Sequence, residues 1–395
     1  MITATKLDTQ AGAAGTFAVS VLQDAFKAAL ALPARVAATR TTLPATTMVL
    51  LRAGANGWLS LSATDLEQAC VTQAGAKVDG EGAALAPARL LNDLVARLPE
   101  KERVDLTLEG NLLHVRSERI HAQLRTADPN DFPPIPTVGD DACTLTLPAE
   151  ALGGALRRVT VAAAIEVSRP VLTGILFEVK DGALTLAAAD GFRLAVQRVT
   201  LDGGAGEKGQ WIVPASGMRN LLALMGDGDD PVTLAFGERV LEVAARGSSL
   251  TTQLIQGVFP NFRQLVPKTY NSRTVMQGTD LARALEVVLV AARDGAGTVR
   301  LVGMQDAATG IGTVTLSAQT AADAGAGGGT AALDSAMEGE PFKIAVNGRY
   351  LRDALAALGD TKVALETTSP SSPGVLRPVG DDSSTHVIMP VFVNW

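Results

Sequence analysis

The chain has 395 residues, 47% apolar and 19% charged, with 34 basic against 41 acidic side chains and a net charge of −7. That length exceeds one ordinary core and points to about two to four domains. No apolar run reaches the roughly 18 residues of a membrane span, and the first residues lack the apolar core of a signal peptide, so a soluble, cytoplasmic protein is expected. Cys70 and Cys143 lie far apart, and His114, His121 and His386 show no metal-ligand spacing, which argues against a disulfide framework and a zinc site.

From the N-terminus, Ser20-x-x-Gln23 reads as a capping box opening a helix over 20–31, with Leu22, Phe26 and Leu30 on one side. Strand-type runs follow in "LPATTMVLLRAGANGWLSLSATDLEQACV" (43–71). A second helix, "APARLLNDLVARLP" (86–99), turns Leu91, Val95 and Leu98 inward. "VDLTLEGNLLHVRS" reads as a hairpin over Glu109-Gly110-Asn111, and "RIHAQLRT" leads into the linker "DPNDFPPIP" (128–136).

The same order then returns. A helix over 149–163 follows Pro148 and carries Leu152, Leu156 and Val159. Strands in 170–196 turn at Lys180-Asp181-Gly182, and "VPASGMRNLLALMG" (213–226) carries Met218, Leu222 and Met225. A hairpin turns at Phe236-Gly237-Glu238, and "SSLTTQLIQ" precedes "GVFPNFRQLVP" (257–267), whose Phe259 matches Phe132. A third round brings a helix over 279–292 (Leu281, Leu285, Leu289), strands in "GTVTLSAQTAADAG", the helix "VNGRYLRDALAALG" (346–359; Leu351, Leu355, Leu358) and "STHVIMPVFV" (384–393). A period of roughly 130 residues is too long for a solenoid unit, so each copy is a domain. The expected fold is α+β: three similar domains, each with two helices packed on β-sheet, over 1–137, 138–268 and 269–395.

Asp65 and Asp190 end strands at equivalent places, where the third copy has Gln319-Thr320. Neither has a second titrating group nearby in sequence, so a structural carboxylate accepting backbone hydrogen bonds is favoured over a catalytic one. The Gly-rich 323–340 segment lacks a Lys-Ser/Thr ending and reads as a surface loop rather than a phosphate cradle. No nucleophile elbow is present, so no enzyme is expected. Along the helices, arginines fall off the apolar stripes: Arg35 and Arg40 just after the first helix, then Arg89, Arg97, Arg157, Arg158, Arg219, Arg283, Arg293, Arg349 and Arg352. Acids gather instead at 79–81, 140–141, 227–230 and 381–382. Singly, each arginine is an ordinary solvated helix residue; together they give an acidic chain one positive surface for a polyanion.

Six blocks carry a resemblance: "SATDLEQACV", "VLTGILFEV", "AAADGFRLAV", "VFPNFRQLVP", "AVNGRYLRDAL" and "HVIMPVFV". In this order, from about Phe17 to Val393, the chain resembles the bacterial sliding clamp family, the β subunit of DNA polymerase III. The resemblance implies a head-to-tail homodimer whose six domains form a ring, helices lining the pore and sheet forming the wall. It implies a non-catalytic, cofactor-free processivity factor that encircles duplex DNA without sequence preference. Its partners would be the replicative polymerase, a clamp loader and other proteins carrying a short clamp-binding motif. Carried over residue by residue, the family's peptide cleft falls on Leu172, Gly191, Arg193, Leu194, Pro260, Leu265, Asn347, Tyr350, Pro373, Val387, Ile388, Met389, Pro390 and Val391. Exposed backbone groups along Met389–Val391 are the expected partners of a ligand Gln. Arg40 matches a pore-facing position; Arg35, Arg89, Arg157, Arg158, Arg219, Arg283, Arg349 and Arg352 are assigned to DNA by position alone. The dimer contact falls on Ile120 and Leu124 of one chain and Leu289 and Val290 of the other.

The sequence departs from the family's pattern at Phe192, where some members have His, at Gln264, in place of a basic residue, and at the Asn394-Trp395 extension. Two other readings stay open on the residues: a repeat-built enzyme or small-molecule binder centred on Asp190, and a scaffold that never meets DNA.

Overall fold

The computed structural model describes residues 17–139, 141–166, 168–201, 208–226, 228–291, 297–306, 311–319 and 328–394. Arg293, Thr320, Trp395 and the 323–327 part of the Gly-rich stretch lie outside them. The helices are α1 (Gln23–Val36), α2 (Ala88–Val95), α3 (Ala149–Thr160), α4 (Ala215–Met225), α5 (Gly278–Ala291) and α6 (Gly348–Leu358). The fold is α+β, and every strand pairing among the described residues is antiparallel.

Contacts group the chain into two units, Met1–Glu150 with Ser216–Leu254, and Ala151–Ala215 with Ile255–Trp395. In the first, a sheet runs from the edge strand Ile120–Arg125 through Leu112–Ser117, Arg103–Glu109, Ala18–Leu22, Gln68–Gly80, Ser248–Gln253, Val240–Ala245 and Pro231–Phe236 to Cys143–Pro148. In the second, the path is Gly209–Pro214, Gly174–Lys180, Ala183–Ala189, Arg193–Thr200, Ser384–Ile388, Gly374–Pro378, Lys362–Thr367, Ser272–Gln277, Gly328–Gly339, Gly312–Gln319, Thr298–Gln305 and Phe342–Asn347. Units and repeats divide the chain differently because strand pairing joins one repeat to the next. Gln68 faces Thr252 and Val71 faces Ser249 at one junction, and Arg193 faces Ile388 at the other.

Local chemistry explains the turns. Asp181 and Gly182 have φ of 50° and 72°, and Arg246 and Gly247 have 49° and 71°. Two successive left-handed residues form the hairpin turn that matches the strands' own twist. On α6 the Asn347 side chain accepts the Arg349 N–H at 2.9 Å, and Gly359 with φ of 75° ends the helix. Leu351, Leu355 and Leu358 of α6 pack with Leu281, Leu285 and Val288 of α5 on Leu301, Ile344 and Val363. Leu91, Val95 and Leu98 are buried, as are Leu152, Leu156 and Val159, which places the expected helix faces inward.

Several expectations are corrected. No capping box opens α1: Ser20 lies in the strand Ala18–Leu22 and donates its hydroxyl to Asp105 at 2.6 Å. The helix starts at Gln23, whose buried amide donates to the Val95 carbonyl at 2.7 Å, while Leu22 is exposed. On α4 Leu221, not Leu222, is buried, and on α5 Val288 takes the inward place given to Leu289, which is half-buried. The Gly-rich segment is not simply a loop: Gly328–Gly339 is a strand paired with Gly312–Gln319 and, through Ala336–Gly339, with Ser272–Val275.

Candidate functional site

The two strand-ending aspartates do the same structural work. Asp65 Oδ1 accepts the N–H groups of Glu67 (3.0 Å) and Gln68 (2.7 Å); Asp190 Oδ1 accepts those of Phe192 (2.9 Å) and Arg193 (3.0 Å). The next residue is left-handed in each, Leu66 at φ 77° and Gly191 at 94°. A carboxylate held this way orders a turn and leaves no acid–base pair behind.

The second copy adds something the first lacks. Asp190 Oδ2 also accepts from Arg193 Nε at 2.9 Å, and Arg193 Nη1 donates to Asp353 on α6 at 2.8 Å. The guanidinium lies 4.4 Å from the Tyr350 ring centroid, a cation–π stack. Arg193 thus ties the turn to α6, and both side chains of its Asp190 pair are largely buried. Beside it Leu194 faces Val387 across the paired strands. Leu194 and Val387 join a cluster with Leu176 and Phe262, while Ile388 and Tyr350 pack on the α5–α6 core.

These residues wall a small cavity of about 10 Å³, room for roughly one water, lined by Val161, Ala162, Arg193, Leu194, Tyr350, Ala354, His386, Val387 and Ile388. Five of the expected cleft residues therefore meet: Arg193, Leu194, Tyr350, Val387 and Ile388. Leu172, Gly191, Pro260, Leu265, Asn347, Pro373, Met389, Pro390 and Val391 are not among the walls. Leu172 is buried, and its carbonyl accepts from Ala164 N–H at 2.9 Å; Pro260 and Leu265 are exposed. Pro373 precedes Gly374, the residue opposite Ile388, and Met389 is 39% exposed. Of the expected backbone groups, the N–H donors are engaged within the chain. Met389 N–H donates to the Phe192 carbonyl at 2.8 Å, Val391 N–H to the Ala345 carbonyl at 2.7 Å, and Pro390 has no N–H and bridges to Val346. Asp353, Ala354, Val161, Ala162 and His386 escaped sequence reasoning. The spacing of Tyr350, Asp353 and Ala354 on one helix face was a usable signal for two of them.

The arginines assigned to DNA divide by partner, Arg40 lying past the end of α1. Arg35, Arg40, Arg89, Arg219 and Arg349 are exposed and have no ion pair among the described residues. Arg283 sits 3.4 Å from Asp280, and Arg352 lies 3.5 Å from Asp353. Arg158, assigned to DNA by position, is instead half-buried, donating to Gln197 at 3.0 Å and to Asp381 at 3.2 Å. Of the expected dimer residues, Ile120 and Val290 are exposed, Leu124 is buried in its own unit and Leu289 is half-buried.

Burial, with the nearby Arg158 and Arg193 guanidinium groups, pushes the His386 pKa down to about 4 from 6.5. Between those values the unfolded chain binds the extra proton, so stability falls as pH drops through that window and is complete above about 6.5. Acidifying from pH 7.5 to 4.5 should remove up to about 3 kcal/mol through this group, and His386→Phe should flatten that part of the curve. Urea midpoints across the range check this; an unchanged slope in the variant assigns the loss elsewhere.

With this geometry in hand, comparison with known proteins is informative. Residues 17–136, 146–261 and 263–392 match the N-terminal, central and C-terminal domains of the DNA polymerase III beta subunit. The chain is 32% identical to the beta sliding clamp of Synechococcus elongatus, covering 93% of this chain and 97% of the relative. It is 30% identical to that of Streptomyces coelicolor, over 94% and 98%. A sliding clamp from Pseudomonas aeruginosa bound to griselimycin superposes with a TM-score of 0.88 at 25% identity, covering 96% and 100%. A Bacillus subtilis clamp, at 19% identity, shares the fold with a TM-score of 0.88 over 96% and 100%. The chain belongs to the bacterial DNA polymerase III beta subunit family, the beta sliding clamps, which are non-catalytic processivity factors.

Proposed function

We propose that two copies of this chain close head to tail into a ring that encircles duplex DNA in the cytoplasm and tethers the replicative polymerase, a clamp loader and other partners. The repeats would act as three clamp domains over 1–137, 138–268 and 269–395. The observation that carries this reading is a missing junction. Within the chain, Gln68–Gly80 pairs with Ser248–Gln253, and its counterpart Arg193–Thr200 pairs with Ser384–Ile388. The third counterpart, Gly328–Gly339, pairs through residues 328–335 on one side only, with Gly312–Gln319. Among the described residues, the remaining strand of the other type, Ile120–Arg125, pairs only with Leu112–Ser117. Two complementary open edges at opposite ends of the repeat array invite closure between chains, which also removes an exposed strand edge.

A closed ring is held on DNA by topology, so phosphate contacts need only be weak and numerous, independent of sequence. Exposed Arg35, Arg40, Arg89, Arg219 and Arg349, which have no ion pair among the described residues, would serve that task. Arg40→Glu with Arg89→Glu should lower equilibrium duplex affinity at least tenfold, reduce its log–log salt slope by about 2, and shorten the lifetime on nicked circles. Unaltered affinity and lifetime would take both arginines out of the pore. Partner segments bind at the cleft around Leu194, Tyr350 and Met389, burying apolar side chains there; linkage to the ring then raises the polymerase's local concentration at the primer end.

A further inference from the structure

We infer that His114 and His121 form a binding site for a divalent transition-metal ion, across the last two strands of the first unit's sheet. Their seven-residue separation shows no metal pattern in sequence, but the hairpin of Leu112–Ser117 and Ile120–Arg125 folds them together. His114 Nδ1 lies 3.0 Å from His121 Nε2, with the ring centroids 5.3 Å apart and the planes 11° from parallel. Those distances set the rings edge to edge, one nitrogen of each aimed at the other. His114 is 6% exposed, whereas His121 is exposed. One ring is fixed by packing and the other is free to pivot until both lone pairs meet on one ion.

The proton positions suit a metal. Glu109 Oε2 lies 3.5 Å from His114 Nε2 and favours the tautomer with its proton there, which leaves Nδ1 bare. The proton between the rings then sits on His121 Nε2, and in that exposed ring it can pass through water to Nδ1. The ion displaces it without changing the charge of either imidazole. A carboxylate behind a ligating imidazole is the common outer support of a metal-bound histidine. Metal–nitrogen bonds of about 2.0–2.1 Å meeting at a right angle put two nitrogens about 2.9 Å apart, and a tetrahedral angle about 3.3 Å. The 3.0 Å found here is nearer the first, which fits neighbouring positions on tetragonal Cu(II) or Ni(II) better than tetrahedral Zn(II). No three such ligands meet among the described residues, so water fills the other positions and the ion is exchangeable. Arg116, opposite His121, has Asp105 across from it on its other side, so it is no uncompensated cation beside the ion. Strand side chains stand off the sheet's face, so backbone pairing along this edge would not consume the imidazole nitrogens.

The test is calorimetric titration of the untagged, metal-stripped full chain with nickel(II) chloride at about pH 7.5, where imidazole binds as the neutral ring. Wild type should take up one Ni(II) per chain at submillimolar concentration. His121→Ala, a change at an exposed position, should weaken uptake at least tenfold while leaving the thermal melt of the metal-free protein in place. Glu109→Gln should weaken it by about tenfold, the usual cost of losing an outer-shell carboxylate. A second measurement needs no substitution: with three histidines in the chain, the imidazole signals can be followed by NMR, and paramagnetic Cu(II) should broaden those of His114 and His121 first. Wild-type affinity in His121→Ala, broadening that begins at His386, or no uptake by wild type each overturns the assignment and leaves the pair as an ordinary hydrogen bond between strands.

Discussion

If two copies close into the proposed ring, Val287→Glu with Val290→Glu should convert that dimer to single chains at low micromolar concentration. Both valines stand on α5 and are exposed, at 59% and 64%, in the unit that also carries the open strand Gly328–Gly339. Burying each valine against the partner's Ile120–Arg125 region would be worth about 1.5–3 kcal/mol. Placing an unpaired carboxylate there costs more than the valine contributed, because the charge loses its water. Together the two changes exceed about 5 kcal/mol, more than a thousandfold in dissociation constant. These positions are better probes than Leu289, which packs against the α5–α6 core and would disturb folding as well as association. Sedimentation or light scattering reads the result. A double variant that stays dimeric at those concentrations removes this face of α5 from the interface.

Much of the fold was legible because it rests on local periodicity. The stripes Leu91/Val95/Leu98, Leu152/Leu156/Val159 and Leu351/Leu355/Leu358 each recur at helical spacing, and each is buried. The turns were legible too, since Asp181-Gly182 needs two left-handed residues and declares it. Local signals failed where a distant group outbid them. Ser20-x-x-Gln23 has the form of a capping box, yet Asp105, 85 residues away, takes the hydroxyl and the helix begins three residues later. Gly328–Gly339 has the composition of a loop but is paired along its length, so neighbouring strands override its weak intrinsic preference.

The site was legible in part for the same reason. Family resemblance pointed to Arg193, Leu194, Tyr350, Val387 and Ile388, and these do wall one cavity. It could not supply the Arg193–Asp353 bond, which spans 160 residues, nor the diversion of Arg158 from the solvent to Asp381. It also could not foresee that the Met389 and Val391 amides are already spent, because hydrogen-bond accounting needs both partners in view.

Met389→Asp should weaken binding of a fluorescent partner peptide at least thirtyfold while leaving dimer and fold intact. Met389 follows the buried Ile388, is 39% exposed and belongs to no core cluster among the described residues, so its side chain is free to meet a partner segment. A peptide Leu or Phe resting on it gains about 1.5–3 kcal/mol when fully buried, and ordering the peptide offsets much of the total, which puts a single site near micromolar affinity. A carboxylate at this position removes the contact and must be desolvated whenever the peptide docks, a combined loss of about 2 kcal/mol or more. The backbone bond from Met389 N–H to the Phe192 carbonyl does not involve the side chain and should survive. Deleting residues 389–395 is the cruder version of the same experiment. It also discards the Val391 bond to Ala345 and the Pro390 bridge to Val346, so lost binding could reflect a loosened strand rather than a lost contact. Fluorescence anisotropy on the point variant, with a thermal melt within about 3 °C of wild type, separates the two. Wild-type peptide affinity in Met389→Asp would move the binding surface away from this end of the chain.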